Sequence, residues 1–208
     1  MPIVWRTILV RPGTKLAMLH RYVQAVMGWR ECHLYEFTIE GKGYGMPIRD
    51  FDGDRNVYDA RRYTLARLFP TLPSRFDYVY DFGDWWEHVI EIEREEAAEY
   101  RKPYPICADG AEPCPPEDVG GPAGYRELLL ALRDPNHPQY GEWRSWAAQF
   151  YRPTFQVRDA SFMMRAVQRG LILAVGAPYS RGSTATWMVH KANMWYQTLV
   201  CFLVLAMG

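Results

Sequence analysis

Apolar and polar positions change period several times along the chain, and each change marks an element. Over residues 3–10, Ile3, Trp5, Thr7 and Leu9 alternate with Val4, Arg6, Ile8 and Val10. That period of two predicts a strand, which Pro12-Gly13 ends. The period then lengthens: Leu16, Leu19, His20, Val23, Val26 and Met27 fall at helical spacing. Thr14 is the expected N-cap, because its hydroxyl can accept a bond from a first-turn amide, and Gly28 suits the left-handed C-cap. His33–Ile39 alternates again, with His33, Tyr35, Phe37 and Ile39 on one face.

Gly41–Arg62 is rich in Gly, Asp and Arg and predicts mostly loop, and Thr64–Phe69 predicts one or two helical turns, stopped by Pro70 and Pro73. Phe76–Tyr80 and Trp86–Glu93 predict two strands joined by a short turn. In the second, Trp86, His88, Ile90 and Ile92 share one face, while Glu87, Val89, Glu91 and Glu93 share the other. Glu95–Tyr100 reads as a helical turn. Lys102–Gly124, dense in Pro, Gly and Cys, reads as a long loop, a kind of segment that often carries function. Tyr125–Leu132, His137–Phe150 and Asp159–Gln168 read as helices.

Strands come first and helices cluster later, so the expected class is α+β, a mostly antiparallel sheet with helices packed on one side. The expected organisation is a single domain over 1–170, followed by an appendage over 171–208. That appendage has few charges, no acidic residue and no clean period. A terminal strand, a terminal helix and read-through sequence never selected to fold all fit it.

Composition narrows the function classes. The 208 residues are 49% hydrophobic and 15% aromatic, enough for a sizeable core. Lys plus Arg equals Asp plus Glu at 24 each, so no net charge draws the chain to nucleic acid or to an anionic membrane. Arg6 and Arg11 interrupt any secretory h-region, and the longest apolar run, Leu199–Met207, is far short of the roughly 20 residues of a membrane helix. A cytoplasmic location with reduced or metal-bound thiols is therefore expected.

Four segments occur in order: PIVWRTILV, HLYEFTI with GKGYG, YDFGDWWEH, and CADGAEPCPPEDVGGPAGYRELLLAL. Together they resemble the plasmid pRiA4b ORF-3-like family, some of whose relatives are insertion-element passengers. The resemblance covers roughly Pro2 to Gln168 and implies an α+β fold with no known biochemical activity. Members usually have about ten further residues before the segment matching PIVWR, and often a third Cys where this chain has Val119. With the unmatched tail after Gly170, these departures raise the expectation of a trimmed gene copy.

Three constellations could carry chemistry. In YDFGDWWEH, Gly83 is expected to supply the turn's positive φ, and Asp81 and Asp84 to bond turn amides. The same carboxylates, gathered with His88 and with Glu117 of CPPEDVGGP, are candidate catalytic groups holding a divalent metal that activates water. Alternation sets Glu87 and His88 on opposite faces, which weakens a set that uses both. Separately, His33, His88, Cys107 and Cys114 offer the nitrogen and sulfur donors zinc prefers, without a zinc-ribbon spacing. Arg61, Arg62, Arg67 and Arg75 are candidate nucleic-acid contacts if Tyr63 is exposed for stacking. Glu117 and Asp118 precede the glycines Gly120, Gly121 and Gly124 without the pattern of a phosphate loop.

Some chemistries are excluded. The first serine is Ser74, between Pro73 and Arg75, so a serine recombinase's N-terminal nucleophile is missing. A GxSxG elbow and a dinucleotide fingerprint are also missing. The leading expectation is a mobile-element accessory protein acting as a protein or nucleic-acid interaction module, with no cofactor. The alternative is a metal-dependent hydrolase or nuclease at the YDFGDWWEH hairpin and the Cys-Pro loop.

Overall fold

Strand β1 (Val4–Val10) puts Val4, Arg6, Ile8 and Val10 on its buried face, so of the two faces the alternation allowed, the one carrying the arginine turns inward. Helix α1 (Leu16–Met27) follows, buried through Leu16, Leu19, His20, Val23, Val26 and Met27. Its N-cap is Lys15 rather than Thr14, and no side chain caps it; the Leu16 amide donates instead to the Tyr63 carbonyl. Gly28 ends it in the left-handed conformation at φ 77. The computed structural model describes residues 3–47, 57–171 and 199–207.

Strands β2 (Tyr35–Ile39), β5 (Ser74–Tyr80) and β6 (Trp86–Ala97) form the centre of the sheet. Their register sets Tyr35 beside Tyr80 beside Trp86, and Phe37 beside Tyr78 beside His88. These transverse aromatic rows face the helices, and Glu87 and Glu91 face solvent. Strands β3 (Lys42–Gly45), β4 (Tyr58–Asp59), β7 (Ile106–Ala111) and β8 (Leu199–Met207) complete an eight-stranded sheet, ordered β4-β3-β2-β5-β6-β8-β1-β7. Every pairing is antiparallel except β3 with β4. A 3-10 turn, Ala60–Arg62, and the short helix α2 (Leu65–Leu68) precede β5. Helices α3 (Gly121–Arg133), α4 (Tyr140–Phe150) and α5 (Val157–Gln168) follow β7, and α5 packs against α1 and β7. The fold is α+β, as its sequence pattern predicts.

Three local expectations give way. Glu95–Tyr100 is not a helical turn: β6 runs on to Ala97, because residues 94–97 pair with β8. The loop expected over Lys102–Gly124 contains β7, whose pairing with β1 needs no apolar period of its own. Gly41–Arg62 contains β3, β4 and the 3-10 turn, its residues 48–56 lying outside those described. Of the appendage expected over 171–208, residues 172–198 also lie outside; the described part, β8, sits between β6 and β1. Among the described residues no helix is long and apolar enough to cross a membrane.

Candidate metal centre

The β5–β6 hairpin and the loop after Cys114 meet at the end of the sheet where β2 begins. The turn between the two strands is tight: the Trp85 amide donates to the Asp81 carbonyl at 2.6 Å, and the Gly83 amide to Asp81 Oδ1 at 2.9 Å. Gly83 does not supply the positive φ. Asp81 at φ 58 and Trp85 at φ 56 do. A bulky residue in that region is a genuine outlier, costing about 1–3 kcal/mol, and such positions cluster at functional sites. Asp84 bonds across to the other loop, its Oδ2 accepting from the Gly120 amide at 3.2 Å. A Cβ on Gly121 would stand 2.4 Å from the Asp84 carbonyl oxygen, so the two loops approach this closely only over glycine.

Three side chains converge there. His33 Nε2 lies 3.2 Å from Asp118 Oδ1 and 3.6 Å from Asp81 Oδ2. The three ligand atoms fall within 4.8 Å of one another. Ligand atoms about 2.1 Å from one ion stand roughly 3.0–3.4 Å apart, so these spacings suit a shared cation with little movement. His33 Nε2 is shut off from solvent and, among the described residues, makes no hydrogen bond, although both carboxylates are near. A buried polar atom without a partner calls for an explanation, and a role as metal ligand is one. Asp81 is 8% exposed and uses only Oδ1 in its turn, leaving Oδ2 directed at the imidazole. Asp118, at φ 59, is exposed and gives the site an open side.

Glu117 fixes this loop. Its Oε1 accepts from Tyr80 Oη at 2.5 Å and its Oε2 from the Arg30 amide at 2.9 Å. Burial and the Glu117 carboxylate push the Tyr80 phenol far above its ordinary value, so it stays a donor. Tyr80 also accepts from the Cys32 amide, and its ring lies edge-on to His33 at 5.8 Å. From beneath, Trp29 stacks on Tyr80 at 4.9 Å and donates its indole N–H to the Pro115 carbonyl. The residue before Asp118 is thus anchored twice, to Tyr80 and to the Arg30 amide.

The residues singled out by sequence divide accordingly. Asp81, Asp84 and Glu117 come to this end, but only Asp81 belongs to the converging set. His88 does not join it: the ring is buried against Trp29 and Tyr78, its Nδ1 3.0 Å from the Trp86 carbonyl. Nor do His33, His88, Cys107 and Cys114 form a four-ligand group among the described residues. Cys107 is buried under α5, its amide bonded to Ser161 Oγ, and burial pushes its thiol up to about 11. Burial raises Cys114 further. Three of the four arginines face a carboxylate, two of them the same one. Arg61 makes two bonds to Asp59 at 2.8 and 2.9 Å, Arg62 approaches Asp59 at 3.9 Å, and Arg75 approaches Glu91 at 3.7 Å. Arg67 stacks on Tyr63, which packs against Tyr44 and Tyr58. Sequence reasoning set His33 apart from Asp118 because nothing local joins them; the available signal was Asp118 in an acidic loop leading to a glycine pair.

Known proteins share this frame. The chain is 44% identical over 146 residues to the uncharacterized protein y4hQ of Sinorhizobium fredii, covering 70% of this chain and 74% of that one. A crystal structure of a protein of unknown function from Methanosarcina mazei Go1, MM3350, superposes with a TM-score of 0.65 at 29% identity, covering 76% of this chain and 97% of that one. The family described as plasmid pRiA4b ORF-3-like protein matches residues 1–159. The chain therefore belongs to the plasmid pRiA4b ORF-3-like family.

Proposed function

We propose that this protein is a divalent-metal-dependent hydrolase whose ion is held by His33, Asp81 and Asp118. The observation that carries the reading is the convergence of one imidazole nitrogen and two carboxylate oxygens on a point where His33 Nε2 has no hydrogen-bond partner. One nitrogen and two oxygens suit Mn²⁺ or Zn²⁺ better than Mg²⁺, which prefers oxygen alone. Three protein ligands leave positions for water and for a substrate oxygen. An ion held by His33, Asp81 and Asp118 would supply Lewis-acid chemistry, activating a water and polarising the bond to be cut. The interaction-module reading has less support, because three of its four arginines already face a carboxylate.

The test is calorimetric titration of Mn²⁺ and Zn²⁺, paired with hydrolysis of a generic phosphodiester. One site per chain is expected. His33→Ala and Asp118→Ala are each expected to weaken it by more than the roughly 10–100-fold typical of losing a group that merely supports a ligand. Unchanged affinity in both variants would remove the site. Glu117→Ala is expected to cost about 10–100-fold through the freed Asp118 loop, with Glu117→Gln in between because it keeps an acceptor for Tyr80. Equal affinity in wild type and Glu117→Ala would show that the loop needs no such anchor.

A further inference from the structure

We propose that the channel between β1 and β6 is a strand-acceptor site for an extended, uncharged apolar segment, and that the chain's own β8 occupies it as a tethered ligand which a free strand of the same chemistry replaces. β8 is bonded along both edges. Residues 4–10 of β1 pair with 201–207, and β6 pairs with 199–207, from His88 beside Met207 to Ala97 beside Leu199. It runs antiparallel to both walls, and the register sets Leu203 between Ile8 and Ile92 and Leu205 between Arg6 and Ile90. Taken out, β8 leaves the sheet as two parts, β4-β3-β2-β5-β6 and β1-β7, whose facing edges lose their ladder bonds. Such an edge is a template for another strand, recognised through its main chain. On the helix-facing side the walls carry Val4, Ile8 and Val10 of β1 and Ile90 and Ile92 of β6, each at most 2% exposed, so an incoming segment is selected for apolar residues there. Leu199–Met207 reads LVCFLVLAM, without a charge, Pro or Gly, and so fits that selection. Both walls are also fixed by contacts that do not involve β8. Arg6 of β1 donates to the Val26 carbonyl of α1 at 3.2 Å, and Trp29, just past α1, meets His88 of β6 edge-on at 5.5 Å. β8 itself lies beyond residues 1–159, which the family matches. About thirty residues separate it from α5, a tether able to span roughly 100 Å. The tether raises the strand's local concentration without dictating its register, so pairing with β1 and β6 is what holds it.

The experiment uses the full chain carrying Val204→Pro and Leu205→Pro together, which removes one ladder amide toward each wall. This variant is expected to melt at least about 10 °C below wild type. A synthetic peptide of residues 199–207, flanked by lysines for solubility, is expected to bind the variant one to one and to restore most of the lost melting temperature. Wild type is expected to bind the same peptide at least about 10-fold more weakly, because the tethered β8 competes. Equal melting temperatures of variant and wild type, or no binding of the peptide to the variant, would overturn the proposal. A cross-link reads the same pairing in a chain whose β8 is intact. Glu95→Cys stands opposite Cys201, and the Cα separation of antiparallel partners, about 4.5–5.5 Å, suits a disulfide. Oxidised glutathione is expected to close an intramolecular disulfide in Glu95→Cys and none in Glu95→Cys/Cys201→Ser. A missing cross-link in Glu95→Cys would overturn the occupancy of the channel by β8. A covalent dimer would put a second copy's strand there and overturn the tethered one.

Discussion

Acidification from pH 8 to pH 5 is expected to remove about 4 kcal/mol of folding stability, through two buried histidines. Burial, helped by the neighbouring Arg21 charge, lowers His20 to about 3, and burial lowers His88 to about 4. Their ordinary value is 6.5. Between the folded and unfolded values the unfolded chain binds protons that the folded chain refuses. Stability is therefore complete above about pH 6.5 and falls as pH drops through it, by roughly 1.4 kcal/mol per pH unit for each ring. At pH 5 each has lost about 2 kcal/mol. Glu31, whose carboxyl burial raises, works in the opposite direction and trims the loss. Urea melts at pH 8, 6.5 and 5 measure the slope. His88→Phe is expected to halve it, since that ring is buried against Trp29, Tyr78 and Trp86 and its Nε2 has no hydrogen-bond partner among the described residues. A wild-type protein equally stable at pH 5 and pH 8 would contradict the burial of both rings.

Replacing Arg6 with alanine is expected to cost about 4 kcal/mol and to lower the melting temperature by roughly 10 °C. Arg6 is 1% exposed, and its guanidinium is met by carbonyls rather than carboxylates: Trp5 at 2.7 Å, Ala111 at 2.6 Å, Glu112 at 2.9 Å and Val26 at 3.2 Å. The ring of Phe155 covers it at 3.6 Å. One side chain thus ties β1 to the end of α1, to the end of β7 and to the segment before α5. Burial lowers its pKa, but a guanidinium is not deprotonated in proteins, so the cation persists. Alanine strands four carbonyl oxygens and opens a cavity under Phe155. Arg6→Lys is expected to lose most of the same energy, because an ammonium cannot span the fork of acceptors. Thermal melts of both variants measure it, and a loss below about 1 kcal/mol in Arg6→Ala would show the clamp to be dispensable.

Arg6 also shows where sequence reading stops. Alternation in β1 left both faces open, and the one carrying the arginine is buried because carbonyls of Trp5, Val26, Ala111 and Glu112 meet the guanidinium. Where one face was plainly apolar, as from Phe76 to Tyr80 and from Trp86 to Ile92, strand and facing were both legible. Glu95–Tyr100 reads as a helical turn, and pairing of residues 94–97 with a strand about a hundred residues later overrides it. The site followed the same division. The YDFGDWWEH turn was legible as a place, and Asp81 as a member. In sequence His33 groups as a metal donor with His88, Cys107 and Cys114, and its approach to Asp81 and Asp118 comes only through tertiary structure.

The central claim is that His33, Asp81 and Asp118 share one ion. Anomalous diffraction from a crystal grown with Mn²⁺ tests it most directly. The account predicts a single strong anomalous peak within about 2.0–2.3 Å of His33 Nε2, Asp81 Oδ2 and Asp118 Oδ1. A map with no peak there, or with manganese held only by other carboxylates, would contradict it.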